Sequence, residues 1–502
     1  MLSVGDLLGS PTPSRPAGAR AAVGLTATAF VGSVVAAVAL AANGTDRVGA
    51  SLFGDSTWRV GLGIDRLAAV LLVLVSGIGL VVQAYAARAL RLDPGRPRFL
   101  RWSGLLLAAS LLVAAAASPL ALALAWAAGG IALVRLVGTA GPGGRGVRRA
   151  IAVGDAALVG AMVTLTAVAP GLDLQAPGSV AAAVGTTLPW AAVALGLVVA
   201  VAARSAQHPF RDWLPATLAA PTAVSALLHA GVVNGGAVLL LRAGGVLDAF
   251  PATWLVIAGL AAWTMVTSVS AMGVTTDTKG VLVRSTQAQT GFLLLTVAAG
   301  APIAAVAHLV GHAAYKAGAF LGVGGVVGAR RRAHSLDAPV LGRGRRLALG
   351  ALAVGAAGAL LLASVALLPG YDPSPVLAGF AVATAAAALV GWFAHRPDAR
   401  GVALGLAAAT VLVPLYVAGL AGLEAYLQPA LGGAAALDGL GWPALLIAAC
   451  AATAPAAARS LARLSPTPTM EDALFRFAVA TAAPPRAALV PVTARQAQGG
   501  GR

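Results

Sequence analysis

The sequence predicts an all-α polytopic membrane protein of about fourteen transmembrane helices, at least one of them broken, and three observations predict it. Of its 502 residues 59% are hydrophobic and only 10% charged, with a mean hydropathy of +0.87, a balance that a water-soluble chain of this length does not show. The apolar residues fall in repeated runs of about 20, the length at which an α-helix crosses a bilayer and too long for a barrel strand. The arginines gather in alternate loops, as cytoplasmic loops do.

Residues 1–19 are rich in Pro, Ser and Gly and read as a cytoplasmic tail. The first run, Ala21–Ala42, is long for a signal-peptide core and is expected to remain as an uncleaved helix. Runs Leu67–Ala87 and Leu100–Ala117 flank Arg88, Arg91, Arg96 and Arg98, and Leu120–Val137 and Ala150–Ala169 flank Arg145, Arg148 and Arg149. Val180–Ala203 is followed by Arg204 and Arg211 ahead of Val224–Leu241, and Lys279 separates Thr253–Val274 from Val281–Ala299. Ile303–Val327 and Leu347–Leu368 enclose Arg330 to Arg346, Val376–Ala394 and Val402–Leu423 enclose Arg396 and Arg400, and Trp442–Leu461 ends the set. Residues 20–465 thus form one membrane domain with its core at 150–328, and 466–502 a cytoplasmic C-terminal tail. The intervening loops, such as Gly171–Ser179, Pro369–Pro375 and Glu424–Gly441, hold no Lys or Arg but carry Asp173, Asp372, Glu424 and Asp438. Both termini are therefore expected on the cytoplasmic side of the cell (inner) membrane.

The net charge of +17 reflects arginines facing the cytoplasm and anionic membrane lipid, and nucleic acid is not expected as a partner. A single cysteine, Cys450, excludes an intrachain disulfide framework and a Cys-ligated zinc or iron–sulfur site. No cofactor and no metal is expected, and no catalytic residue.

Two polar clusters lie where apolar residues belong. His308, His312 and Lys316 sit at i, i+4 and i+8 inside Ile303–Val327, along one helix face over roughly 12 Å. Intramembrane ionisable residues are costly and mark ion or proton paths. Of 34 basic residues only Lys279 and Lys316 are lysines, so a lysine here suits a site that needs a cation able to release its proton, which arginine is not. His308 and His312 have the spacing of a metal pair, but no third ligand is evident. The second cluster, Arg204 to Pro215 with Pro221 to His229, carries Pro209, Pro215 and Pro221 and reads as a broken helix whose short half-helix re-enters the protein. In the helix that follows, Thr222, Ser225 and His229 fall on one face, with Asn234 further on. Asp155, Asp277, Ser285, Thr286, Gln287 and Gln289 are further polar intrusions, each by itself compatible with helix packing.

Together Ser205-Ala-Gln-His-Pro-Phe-Arg-Asp-Trp-Leu-Pro215, Pro221 to His229, Asp277-Thr-Lys279, Ser285-Thr286 with Gln289, and His308 to Lys316 resemble the proton-translocating antiporter family shared by complex I membrane subunits and Mrp-type antiporters. The resemblance covers about 154–327 and implies the complex I antiporter-like fold. Within that family His229-Ala-Gly-Val-Val-Asn234 and His312-Ala-Ala-Tyr-Lys316-Ala-Gly-Ala-Phe320 look most like the DabB type, the membrane subunit of two-component inorganic carbon transporters. It implies a proton path through Lys316, His312, His308, His229, Arg204, Asp277, Lys279, Ser225 and Gln289. It also implies a DabA-like partner that resembles a zinc-binding carbonic anhydrase, so that CO2 hydration would belong to the partner and this chain would be a transport subunit, not an enzyme. The alternative is a membrane subunit of a complex I-like proton pump or an Mrp-type Na+/H+ antiporter. Arg204 stands where the family usually has a lysine and Ala127 where complex I-like members place a glutamate, which implies a first half-channel without its usual titratable pair.

Overall fold

The computed structural model describes residues 16–54, 57–138, 144–176, 178–333 and 341–431, then 440–441, 443–444, 446–447, 450–451, 453–454, 458 and 468–482. Helices dominate: α1 (Pro16–Ala42), α2 (Arg66–Ala89), α3 (Arg96–Ala115), α4 (Pro119–Val137), α5 (Gly144–Val168), α6 (Ser179–Ala183), α7 (Leu188–Arg204), α8 (Thr222–Ala230), α9 (Gly235–Ala243), α10 (Gly245–Asp248), α11 (Pro251–Met272), α12 (Thr278–Ala298), α13 (Pro302–Ala333), α14 (Arg343–Ala366), α15 (Pro375–His395), α16 (Ala399–Leu431) and α17 (Pro468–Ala482). Among the described residues ten helices are long and apolar enough to cross a membrane. Each expected run from Ala21 to Leu423 coincides with a helix or a pair of helices. The Trp442–Leu461 run and the 334–340 part of the arginine-rich loop lie largely outside the described residues.

Starts are set by local chemistry. Asp65, Ser118, Asp277 and Ser374 accept backbone N–H groups in the first turns of α2, α4, α12 and α15, satisfying donors that a helix start leaves open. Proline opens α4, α7, α11 and α15, where its missing N–H costs nothing.

The structure departs from the sequence reading in four places. The loop before α2 is not irregular: β1 (Arg47–Phe53) and β2 (Val60–Asp65) form an antiparallel hairpin with Arg47 opposite Asp65 and Val48 opposite Ile64. The run Val180–Ala203 is interrupted at residues 184–187 between α6 and α7. The stretch from 205 to 221 contains no re-entrant half-helix but two single 3-10 turns, Arg211–Trp213 and Pro215–Thr217, because Pro209, Pro215 and Pro221 withhold the donors a longer helix needs. The run Val224–Leu241 is itself broken, with a 3-10 turn at Val232–Asn234 between α8 and α9. Gly236 explains where this second break packs. A Cβ there would lie 2.2 Å from Ser205 Oγ and 3.0 Å from the Val201 carbonyl, so only glycine lets α9 press against the end of α7.

Three apolar clusters hold the bundle. Two are built mainly by α2 to α13, with Leu309, Val297 and Trp254 in one, which Leu427 and Leu431 of α16 also join, and Trp213, Leu228 and Phe320 in the other. The third joins the Pro302 end of α13 to α14, α15 and α16 through Ala304, Leu377, Phe393 and Leu420. Helices α1 and α14 to α16 leave Leu25, Leu362 and Leu415 exposed, as a surface solvated by lipid tails permits. Within the expected C-terminal tail, α17 packs on α11 with Phe477 6.0 Å from Trp263.

Candidate functional site

α13 carries the centre of the site. His308, His312, Lys316 and Phe320 recur every fourth residue, so each stands above the next along one face for roughly 18 Å. The His308 and His312 rings stack with centroids 5.8 Å apart and planes 9° from parallel. Lys316 is fully buried. Its ammonium donates to Ser285 Oγ and to the Leu282 carbonyl (3.3 Å), both on α12, and none of the six ion pairs among the described residues includes it. Gln289 lies one turn beyond Ser285, on the same face of α12.

His229 reaches this face from α8. Its ring stacks on Phe320 at 4.3 Å and 19°, so the row His308, His312, Lys316 continues through one aromatic ring to a third histidine. Both nitrogens of His229, both of His312, Nε2 of His308, Oγ of Ser225 and Oδ1 of Asn234 are buried without a hydrogen-bond partner among the described residues. Each such group costs about 1–3 kcal/mol.

Lys279 and Asp277 sit apart from the row. The Lys279 ammonium donates to the carbonyls of Leu218 (2.6 Å) and Ala220 (2.5 Å), fastening the irregular segment ahead of α8 to the start of α12. Asp277 caps α12, accepting from Gly280 N at 2.6 Å. Lys279 is therefore engaged in holding the break, and Asp277 in capping its own helix.

Arg204 is paired, a feature sequence reasoning missed. Its guanidinium is 2.7 Å from Asp155 Oδ1 on α5 and lies 4.1 Å from the centre of the Trp126 ring on α4. The carboxylate expected after Trp126 and absent at Ala127 is supplied by the neighbouring helix. Gly130 makes room for it: a Cβ there would fall 1.6 Å from Asp155 Oδ2. The readable signal was an aspartate inside an apolar run opposite a helix with adjacent Gly129 and Gly130. Just past Arg204, Ala206 holds φ at +51°, the strained left-handed region, where the chain leaves α7. Gln207 then bonds Thr290 of α12 (3.1 Å), and Gln287 of α12 bonds the Arg211 carbonyl (2.6 Å). A mainly apolar cavity of about 80 Å³ runs from Arg204, Trp126 and Asn234 to Leu309, the residue after His308.

A second buried pair also escaped the sequence. Arg242 of α9 holds both oxygens of Asp65 at 2.5 and 2.7 Å, joining the cap of α2 to the end of the broken helix. Among the described residues no group of three or more His, Cys, Asp or Glu could hold a metal ion.

A membrane bundle with broken helices and a buried His–His–Lys face defines a polytopic protein of the antiporter-like class. The family model described as NADH:quinone oxidoreductase/Mrp antiporter, transmembrane part, matches residues 116–340, and that of the complex I chain 5 N-terminus matches residues 51–100. These matches span more than half of the chain, which belongs to this family of complex I and Mrp-type membrane subunits. It is 34% identical over 287 residues to the probable inorganic carbon transporter subunit DabB1 of Halothiobacillus neapolitanus, over 54% of this chain and 50% of the relative. It is 32% identical over 324 residues to NADH-quinone oxidoreductase subunit L of Escherichia coli, over 61% of this chain and 52% of the relative. The chain spans about half the length of these curated relatives. A subunit of the Mrp complex from Dietzia sp. DQ12-45-1b superposes with a TM-score of 0.58 at 26% identity, over 94% of this chain and 57% of that one.

Proposed function

We propose that this chain is the ion-translocating membrane subunit of an inorganic carbon transporter, that the ion is the proton, and that it acts with a carbonic-anhydrase-like partner. The observation that carries the reading is the buried row His308, His312, Lys316 and His229, aligned on one seam with five ring nitrogens unpartnered. Bundles do not keep such groups at membrane depth for stability, and a hydrogen-bonded relay along them is what their spacing serves. Among the described residues Lys316 is held by neutral oxygens, those of Ser285 and Leu282, and no carboxylate pairs with it. A group held this way can pass a proton toward His312, one turn away on the same face of α13. Arg204 takes no part in proton exchange in this reading, since its guanidinium keeps its proton and rests on Asp155. Its role is a fixed charge beside the break, and Lys279 holds the segment that positions His229.

The inorganic carbon substrate and the partner are inferred from the likeness to DabB subunits. The structural likeness to an Mrp subunit favours a second reading, a membrane subunit of a cation/proton antiporter or complex I-like pump using the same row. Purification from cells expressing the native gene cluster separates them: one large zinc-binding protein retained with the chain supports the first, a set of small membrane subunits the second. The path itself is tested by Lys316→Arg and Lys316→Ala in membrane vesicles. Both are expected to abolish proton flux, and a Lys316→Arg protein with near-normal flux would show that the lysine does not exchange its proton.

A further inference from the structure

The first three helices enclose a groove that none of the path residues lines. α1 lies antiparallel to α2, with Phe30 against Gly77 and Ser33 Oγ 3.5 Å from Ser76 Oγ. α2 lies antiparallel to α3, with Leu107 against Gly79 and Gln83 Nε2 3.0 Å from Ser103 Oγ. The Pro16 end of α1 therefore stands beside the Arg96 end of α3. Small residues line the space between α1 and α3, Ala19, Ala22 and Ala29 on one side and Gly104 and Ala108 on the other, and among the described residues a cavity of about 830 Å³ remains there. Protein sites for organic ligands have this size. A Cβ added at Gly104 would meet nothing within 4 Å.

The lining has two parts. From Arg96 to Leu111 the wall on α3 is roughly 22 Å long, and beyond Arg101 every α3 residue in it is Gly, Ala or Leu. The polar groups midway are turned to partners inside the protein, Thr26 Oγ1 to the Ala22 carbonyl at 2.8 Å and Gln83 Nε2 to Ser103. The charged residues of the lining are Arg96 and Arg101, both from the first two turns of α3, and no Asp or Glu is among the described lining residues. Arg101 lies 5.1 Å from the centre of the Trp102 ring, and Arg135 of α4 lies 5.5 Å from the same ring, which brings a third guanidinium to this end. Tryptophan favours the level of the lipid head groups. Gly95 gives α3 no side-chain cap, so the positive end of the helix dipole adds to the arginines.

We propose that this groove binds an anionic phospholipid, with the phosphate at Arg96 and Arg101 and one acyl chain laid between α1 and α3 toward Leu111. A long apolar trough with a cationic mouth is complementary to an acyl chain tied to a negative head group, and a zwitterionic lipid lacks the net charge that the arginines attract. Of the ten spans among the described residues α1 is the least buried, so the bound chain fills space along a helix that has few protein contacts of its own and fastens it to the bundle.

The test is native mass spectrometry of the full chain in detergent, titrated with palmitoyl-oleoyl phosphatidylglycerol or with the phosphatidylcholine of the same chains, for wild type, Arg101→Gln and Gly104→Leu. Wild type is expected to bind the first phosphatidylglycerol at least about tenfold more tightly than phosphatidylcholine, since each arginine near an anionic lipid is worth about fivefold. Arg101→Gln, at an exposed side chain, should lose about fivefold for phosphatidylglycerol and nothing for phosphatidylcholine. Gly104→Leu places its side chain in open space within the groove and should weaken both lipids, with the melting temperature of the lipid-free protein unchanged. Equal affinity of wild type for the two lipids overturns the proposal. So does an unchanged phosphatidylglycerol affinity in Arg101→Gln, whatever Gly104→Leu does to the fold. Displacement of phosphatidylglycerol by an equal concentration of inorganic phosphate would show an anion site without a place for the chain, and overturns it too.

Discussion

Gly129 and Gly130 of α4 are adjacent in sequence, yet alanine at the two positions should act in opposite ways. At Gly129 an added Cβ would lie 3.5 Å from Ala109 Cβ and 3.9 Å from Arg204 Nη1, ordinary van der Waals contact. At Gly130 it would fall 1.6 Å from Asp155 Oδ2 and 2.7 Å from its carboxyl carbon, so the carboxylate must leave. The Asp155–Arg204 pair, with side chains 16% and 8% exposed, would then be broken. Stranding one member of a buried pair costs about 3–5 kcal/mol. Replacing glycine by alanine inside a helix returns about 0.5–1 kcal/mol, so Gly130→Ala should lose about 2–4 kcal/mol net while Gly129→Ala should be neutral or slightly stabilising. Thermal unfolding of the detergent-purified proteins, followed by intrinsic fluorescence, reads both, and Asp155→Asn should reproduce part of the Gly130→Ala loss. Equal melting temperatures for Gly130→Ala and wild type would refute the placement of Asp155 against Arg204, and with it the argument that this aspartate replaces the carboxylate missing at Ala127.

Other outcomes follow from the same geometry. His229→Leu should abolish proton flux while leaving membrane insertion intact; a variant that transports normally removes His229 from the path. Asp65→Asn should cost about 3–5 kcal/mol by leaving Arg242 buried and uncompensated, and the double replacement Asp65→Asn with Arg242→Leu should recover much of it. If both proteins melt as wild type does, the pair contributes nothing to joining α2 and α9.

The membrane class, the helical architecture and the His308, His312, Lys316 face were legible without a structure. Each is a property of local spacing: run length against bilayer thickness, and the helical repeat that stacks every fourth residue. The choice of lysine in a chain that writes other positive charges as arginine was likewise visible in composition. Prolines announced the break after Arg204, but not its form, because proline withholds donors without saying whether a half-helix or two 3-10 turns satisfies what remains. The second break, at Val232–Asn234, depends on Gly236 meeting Ser205 across 31 residues, and no local pattern encodes that approach.

Pairing was decided only in three dimensions. Arg204 stands out as a departure from the family until α5 places Asp155 beside it, and Asp65 gains its partner Arg242 from 177 residues away. Lys279 and Asp277 read as path residues by motif; in the fold Lys279 bonds carbonyls of the segment ahead of α8, and Asp277 caps α12. Which groups are ionisable, and at what depth, follows from residue type and position along a helix. Which charge is neutralised and which is bound to carbonyls depends on contacts between helices far apart in the chain, which no local pattern encodes.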